Sequence, residues 1–312
     1  MSKEPDVFDR LTDQGVSRRD FMRYCTMTAA VLGLSPAMVP RVAHAITDSA
    51  RPPVVWLHFS ECTGCSEAFL RTTYPSAADI ILETVSLEYH ETLMAAAGHQ
   101  AHEALVATVK KNKGKFILIC EGAIPTADDG VWGKVGGETF LDIARTYVPQ
   151  ALATICVGNC ASYGGVQAAA PNPTGAKGVS EATGIKTINL AGCPPNAINI
   201  VATIVHYLLL GKLPALDEAG RPLFAYGETI HDNCPRRGHY EAGEMVERFG
   251  DENAQKGYCL YQMGCRGPDT HNNCPNVLFN DGTNFPIGAG HPCIGCSEPH
   301  FWDEMSPFFV EK

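Results

Sequence analysis

Thirteen cysteines in a chain of 312 residues constrain this fold more than any other feature. The number is odd and the chain is long, which suits a pure disulfide scaffold poorly. Their placement is more telling. After about Lys212, glycine, proline, asparagine and cysteine become frequent and apolar runs become short. A stretch of that kind buries too little apolar surface to offset the ordering of its backbone. Bound metal is the expected substitute, with iron–sulfur clusters and structural zinc as the alternatives.

The remainder reads as an ordinary globular chain. Apolar residues make up 45% and charged residues 19%, which excludes wholesale disorder. A formal net charge of −10 excludes a nucleic-acid partner, which requires basic stripes. It suits a basic protein partner.

The N-terminus has the order of an export address. Ser17-Arg18-Arg19-Asp20-Phe21-Met22 holds a twin arginine, residues 26–39 are apolar, and Ala43-His44-Ala45 is a small-x-small cleavage site. Residues 1–45 are therefore read as a twin-arginine signal peptide, cleaved after about Ala45. This route carries folded proteins, so it implies something inserted before export and a periplasmic destination. Cys25 would then be lost from the mature protein. The most apolar later stretch, 198–210, contains Asn199 and His206 and is too short to span a bilayer, so no transmembrane anchor is expected.

From residue 46 to 211, short apolar runs at 54–59, 80–87, 116–120, 151–157 and 186–190 read as strands. Helical patterns lie between and after them, at 99–111, 138–147 and 196–210, the last closed by Gly211. The alternation predicts an α/β fold with a parallel sheet covered on both faces. Residues 212–312 read as a second, loop-rich domain.

Three constellations of donors follow. The first is Cys62 and Cys65, in Glu61-Cys62-Thr63-Gly64-Cys65-Ser66-Glu67, with Cys160 and Cys193. All four fall just past the carboxyl ends of predicted strands, where open α/β sheets place ligands. Four thiolates suit a four-iron cluster; zinc also accepts four, though usually as two tight pairs. The second is His231 and Cys234, in His231-Asp232-Asn233-Cys234, with Cys259 and Cys265. Imidazole ligates iron–sulfur iron in known cases, and a satisfied surface histidine is the alternative. The third offers only Cys274, Cys293 and Cys296. Pro286 stands where a fourth ligand would come and has no donor, so a three-iron cluster is expected. Cys120 and Cys156 fall inside predicted strands and read as core thiols. Gly136-Gly137 and Gly164-Gly165 do not open a dinucleotide fingerprint.

Glu-Cys-Thr-Gly-Cys-Ser-Glu, Gly-Asn-Cys-Ala-Ser-Tyr-Gly-Gly, Gly-Cys-Pro-Pro-Asn, His-Asp-Asn-Cys and Gly-His-Pro-Cys-Ile-Gly-Cys-Ser-Glu-Pro together resemble the small subunit of nickel–iron hydrogenases, most closely the soluble periplasmic type of sulfate-reducing bacteria. The resemblance covers nearly the whole chain after the leader. It implies a flavodoxin-like domain followed by a loop-rich iron–sulfur domain. It implies Cys62, Cys65, Cys160 and Cys193 as ligands of a proximal [4Fe-4S] cluster, and Cys274, Cys293 and Cys296 as ligands of a medial [3Fe-4S] cluster. His231, Cys234, Cys259 and Cys265 would hold a distal [4Fe-4S] cluster. The nickel–iron centre would lie in a large subunit, and electrons would pass to a multihaem cytochrome c. Oxygen-tolerant relatives carry extra cysteines at positions matching Gly64 and Gly165, so the resemblance implies the oxygen-sensitive class. Pro286 sets the chain apart from selenium-containing relatives. Two other functions fit a cysteine-rich chain: a stand-alone electron carrier, and a colourless zinc-stabilised structural protein.

Overall fold

The computed structural model describes residues 17–48, 51–72, 85–280 and 282–310. Five parallel strands form the central sheet: β1 (Pro53–His58), β2 (Ser86–His90), β3 (Ile117–Glu121), β4 (Ala153–Val157) and β5 (Ile188–Leu190). Their spatial order is β2-β1-β3-β4-β5, the flavodoxin-like arrangement, whose switch point lies between β1 and β3. Around it lie α1 (Arg18–Val31), α2 (Val39–Asp48), α3 (Gly64–Leu70), α4 (Gly98–Lys111), α5 (Phe140–Tyr147), α6 (Gly158–Tyr163) and α7 (Ala197–Leu210).

Successive side chains of a strand point to opposite faces. Val54, Trp56, Ile117, Ile119, Ile155 and Val157 enter one core with α7. Val55, Leu57, Leu118, Cys120 and Cys156 enter the other with Leu105 and Val109 of α4 and Leu141 and Ile143 of α5. Burial of both faces explains why these strands read as unbroken apolar runs. Cys120 and Cys156 pair directly across β3 and β4 and are fully buried, as expected of core thiols.

Four of the five predicted strands coincide with observed ones to within a few residues. The second does not. The run at 80–87 overlaps β2 only at Ser86 and Leu87, and residues 80–84 lie outside the described residues. β2 is an edge strand with a part-exposed first half, so its Ser-Leu-Glu-Tyr-His sequence lacks the apolar run of a central strand.

The N-terminal segment also departs from expectation. A leader contributes nothing to a core, yet α1 and α2 pack onto α7 and the first core. α1 buries Phe21, Tyr24, Cys25, Thr28 and Ala29, one stripe at helical spacing. Ser17 caps this helix by accepting from the Asp20 N–H at 3.2 Å. An export stretch and an amphipathic helix share apolar composition, so sequence alone does not separate a leader from a packed element. Residues 1–16 lie outside the described residues.

Beyond residue 211, short helices and isolated bridges replace regular structure. A small cluster of Ile230, Val246, Leu260, Met263, Phe285 and Ile287 includes two thiols, Cys274 and Cys293. This part is tied to the sheet part by polar groups. Buried Glu298 accepts from Arg221 Nη1 at 2.8 Å and from the His271 backbone N–H at 2.6 Å. Its carbonyl accepts from Asn159 Nδ2 at 3.0 Å. Asn199 and Asn273 donate to each other through their side-chain amides, both at 3.0 Å.

Candidate metal centres

The structure brings the first thiol group to the carboxyl end of the sheet. Cys62 and Cys65 leave the carboxyl end of β1, Cys160 sits in α6 just after β4, and Cys193 follows β5. Between the first two, Thr63 holds a left-handed backbone (φ 64°), a strained state for a β-branched residue. The turn lets α3 begin at Gly64 and brings both sulfurs to one side. Burial pushes the Cys65 thiol well up, helped by the charges of Glu121, Cys160, Cys193 and Cys62. Cys160 is pushed up to about 11, chiefly by burial. Thiols crowded in this way stay protonated unless a cation joins them.

Glycines keep the space around the sulfurs clear. A Cβ at Gly158 (φ 85°) would stand 2.4 Å from Cys65 Sγ, and one at Gly165 (φ 65°) 2.5 Å from Cys160 Sγ. Both positions are left-handed and backed by sulfur, so glycine fits them with least strain. At Gly64 the added Cβ would meet Cys62 Sγ at 3.1 Å.

One residue central to this site is not legible in the sequence. Glu121, at the carboxyl end of β3 and 1% exposed, faces the Cys62–Cys65 loop across the switch point. Its carboxylate accepts from the Cys65 N–H at 3.0 Å, the Ser66 N–H at 3.1 Å, the Ser66 hydroxyl at 2.6 Å and Trp56 Nε1 at 3.2 Å. His58 and His90 join it, their rings 4.7 Å apart edge to face. A lone glutamate ending an apolar strand carries no motif, and only the parallel register of β1 and β3 brings it here. Glu61 accepts from Thr63 and meets His58 Nδ1, both at 3.3 Å, so it braces the loop from the other side. Glu67 is exposed in the first turn of α3.

The third group, Cys274, Cys293 and Cys296, converges on an apolar cavity of about 590 Å³ that Pro286 and Cys193 also line. Burial raises all three thiols, Cys296 to about 11. His291 lines the same cavity and packs its ring between Phe249 and Phe309 at 5.3 and 5.2 Å.

His231, Cys234, Cys259 and Cys265 line one small cavity. Burial raises the three thiols here too, and Cys265 also feels Cys234 and Cys259. His231 is part-exposed and meets Tyr240, itself 37% exposed, edge to face at 4.8 Å.

The three groups lie end to end. Cys193 lines the same cavity as Cys296, linking the first group to the third. The Cys293 N–H donates to Cys265 Sγ at 3.4 Å, linking the third to the second. Among the described residues, no three His, Cys, Asp or Glu side chains are close enough together to hold a single metal ion. No helix among them is long and apolar enough to cross a membrane.

The family model for the C-terminal part of NiFe/NiFeSe hydrogenase small subunits matches residues 226–309, and that for the NADH ubiquinone oxidoreductase 20 Kd subunit matches residues 62–207. The chain is 56% identical to periplasmic [NiFe] hydrogenase small subunit 1 of Nitratidesulfovibrio vulgaris, over 96% of this chain and 95% of that one. It is 54% identical to the periplasmic [NiFe] hydrogenase small subunit of Solidesulfovibrio fructosivorans, over 98% and 96%. The Ni-Fe-Se hydrogenase structure from Desulfomicrobium baculatum superposes with a TM-score of 0.79 at 37% identity, covering 84% of this chain and all of that one. With its sheet, its thiol groups and these relatives in agreement, the chain belongs to the small subunits of nickel–iron hydrogenases, heterodimeric oxidoreductases in which the smaller partner holds iron–sulfur clusters.

Proposed function

We infer that this chain relays single electrons between the nickel–iron centre of a large subunit and a multihaem cytochrome c of the periplasm. Cys62, Cys65, Cys160 and Cys193 would hold a proximal [4Fe-4S] cluster. Cys274, Cys293 and Cys296 would hold a medial [3Fe-4S] cluster, and His231, Cys234, Cys259 and Cys265 a distal [4Fe-4S] cluster. When bound, the clusters supply one-electron redox centres. The observation that carries the reading is the end-to-end order of the donor groups, with Cys193 and Cys296 on one cavity and Cys293 bonded to Cys265.

The residues present fit such groups. Buried, mutually repelling thiols require cationic iron to ionise. The glycine cradle at Gly158 and Gly165 leaves room beside two of the sulfurs. A cluster also spreads its thiolates farther apart than one ion does, in keeping with donor sets too open for a single metal. The chain's own groups then tune the site. N–H donors aimed at Cys265 and Cys293 favour their ionised sulfurs. Glu121 fixes the loop that presents Cys62 and Cys65. With glycine at 64 and 165, the enzyme would be of the oxygen-sensitive class. Residues 1–45 act as a twin-arginine leader, cut after about Ala45, ahead of a sheet domain (46–211) and a cluster domain (212–312).

The test is hydrogen-dependent reduction by the anaerobically purified heterodimer. Viologen reduction is expected to track the large subunit. His231→Ala is expected to slow reduction of the cytochrome by at least about tenfold while hydrogen–deuterium exchange at the nickel–iron centre continues. Unchanged cytochrome reduction in that variant overturns the distal role of His231.

A further inference from the structure

The leader helices occupy a place that something else must fill once they are gone. α7 is largely apolar: Ile200, Val201, Ile204 and Val205 are buried, and Ile198, Leu208 and Leu209 pack beside them. A helix of that kind is stable in water only when covered all round. The sheet covers one side and α1 and α2 cover another. Cleavage after Ala45 would remove the cover that Phe21, Tyr24, Cys25, Val39 and Val42 provide.

The same helices abut the first thiol group. Tyr24 and Met27 line a cavity of about 390 Å³ together with Gly64, Glu67, Pro194 and Asn196. Those residues flank Cys62, Cys65 and Cys193, and both Cys62 and Cys193 are exposed. Electrons from the partner must arrive at this exposed edge. The leader therefore lies over the ground the large subunit has to reach.

The scissile region is itself closed. Ala45 is 7% exposed inside α2. A helical, buried bond does not fit a protease cleft, which takes extended chain. α2 must come away and unwind before it is cut. The Tyr24 and Thr28 hydroxyls are buried in the same contact with no partner but each other among the described residues, which weakens its hold.

We propose that α7 and the adjoining sheet face form a docking surface for the large subunit, that α1 and α2 mask this surface in the precursor, and that docking of the large subunit displaces them and opens the bond after Ala45 to cleavage. The inference rests on the leader reading of residues 1–45. It makes processing a consequence of assembly, with the partner taking over the apolar cover that the leader gives up.

The experiment is hydrogen–deuterium exchange on the full-length, cluster-loaded chain, alone and with the purified large subunit. Amides of residues 18–31 and 39–48 are expected to be protected alone and to exchange at least about tenfold faster in the complex. A second variant, Ala29→Glu, places a charge in the masked contact and is expected to speed association with the large subunit. Equal leader protection in both states, or an Ala29→Glu rate no faster than that of the parent chain, overturns the proposal. The mass of the exported subunit separates the two readings. Retention of residues 17–48 in the exported protein defeats the leader reading itself. Their removal, with protection unchanged on docking, defeats only the masking.

Discussion

The sheet region and the region beyond residue 211 gather their thiols by different means. Around Cys62 and Cys65, protein alone makes the framework. Two apolar cores clamp the sheet, and Glu121 gathers N–H and O–H donors from the loop that carries the sulfurs. Around Cys234, Cys259, Cys265, Cys274, Cys293 and Cys296 the chain is mostly turns, and two of those thiols belong to the small apolar cluster itself. The first thiol group sits on a scaffold that the protein builds by itself. The second is a wrapping whose shape depends on what it encloses.

Removing iron tests this contrast with the largest expected effect. Chelation in the full heterodimer should open residues 212–310 to exchange and proteolysis, while β1, β3 and β4 stay protected. Equal loss in both regions breaks the distinction. Next in size is Arg221→Leu. It leaves Glu298 buried without its 2.8 Å partner, and breaking a buried pair costs about 3–5 kcal/mol. Thermal unfolding of the variant should show the cluster region separating from the sheet region.

Ser66→Ala takes one donor, at 2.6 Å, from Glu121. It should lower the stability of the sheet region by about 1–3 kcal/mol and leave exchange in residues 212–310 unchanged. The smallest effect concerns His90, which burial and then the His58 charge push down from 6.5 to about 4. A depressed histidine supports folding in its neutral form, so its contribution is present above about pH 6.5 and is lost as pH falls through about 4. Denaturant titrations of His90→Asn across that window should show a flatter dependence on pH than the parent chain.

The same contrast explains what was legible in advance. Cys62 and Cys65 announce themselves by spacing, and the central strands by unbroken apolar runs that both faces of a parallel sheet require. β2 escaped because an edge strand needs no such run. Glu121, His58 and His90 escaped because their meaning arises from register between strands distant in sequence. The packing of α1 escaped for a different reason: the stripe from Phe21 to Ala29 serves an export stretch and a docked helix equally well. In the loop-rich region only the donors themselves could be read, since the path between them follows no period.

Glu298 bears on how such a chain can be inherited. Two families match its two parts separately, over 62–207 and 226–309, which invites the picture of interchangeable modules. Yet Glu298 binds Arg221 and the His271 amide through its carboxylate and Asn159 through its carbonyl, and Asn199 and Asn273 complete each other's amides across the same seam. A chimera joining the halves of two relatives would have to bring Asn159, Asn199, Arg221, Asn273 and Glu298 as one set. The two halves are thus bound to evolve in step, like the faces of a single hinge.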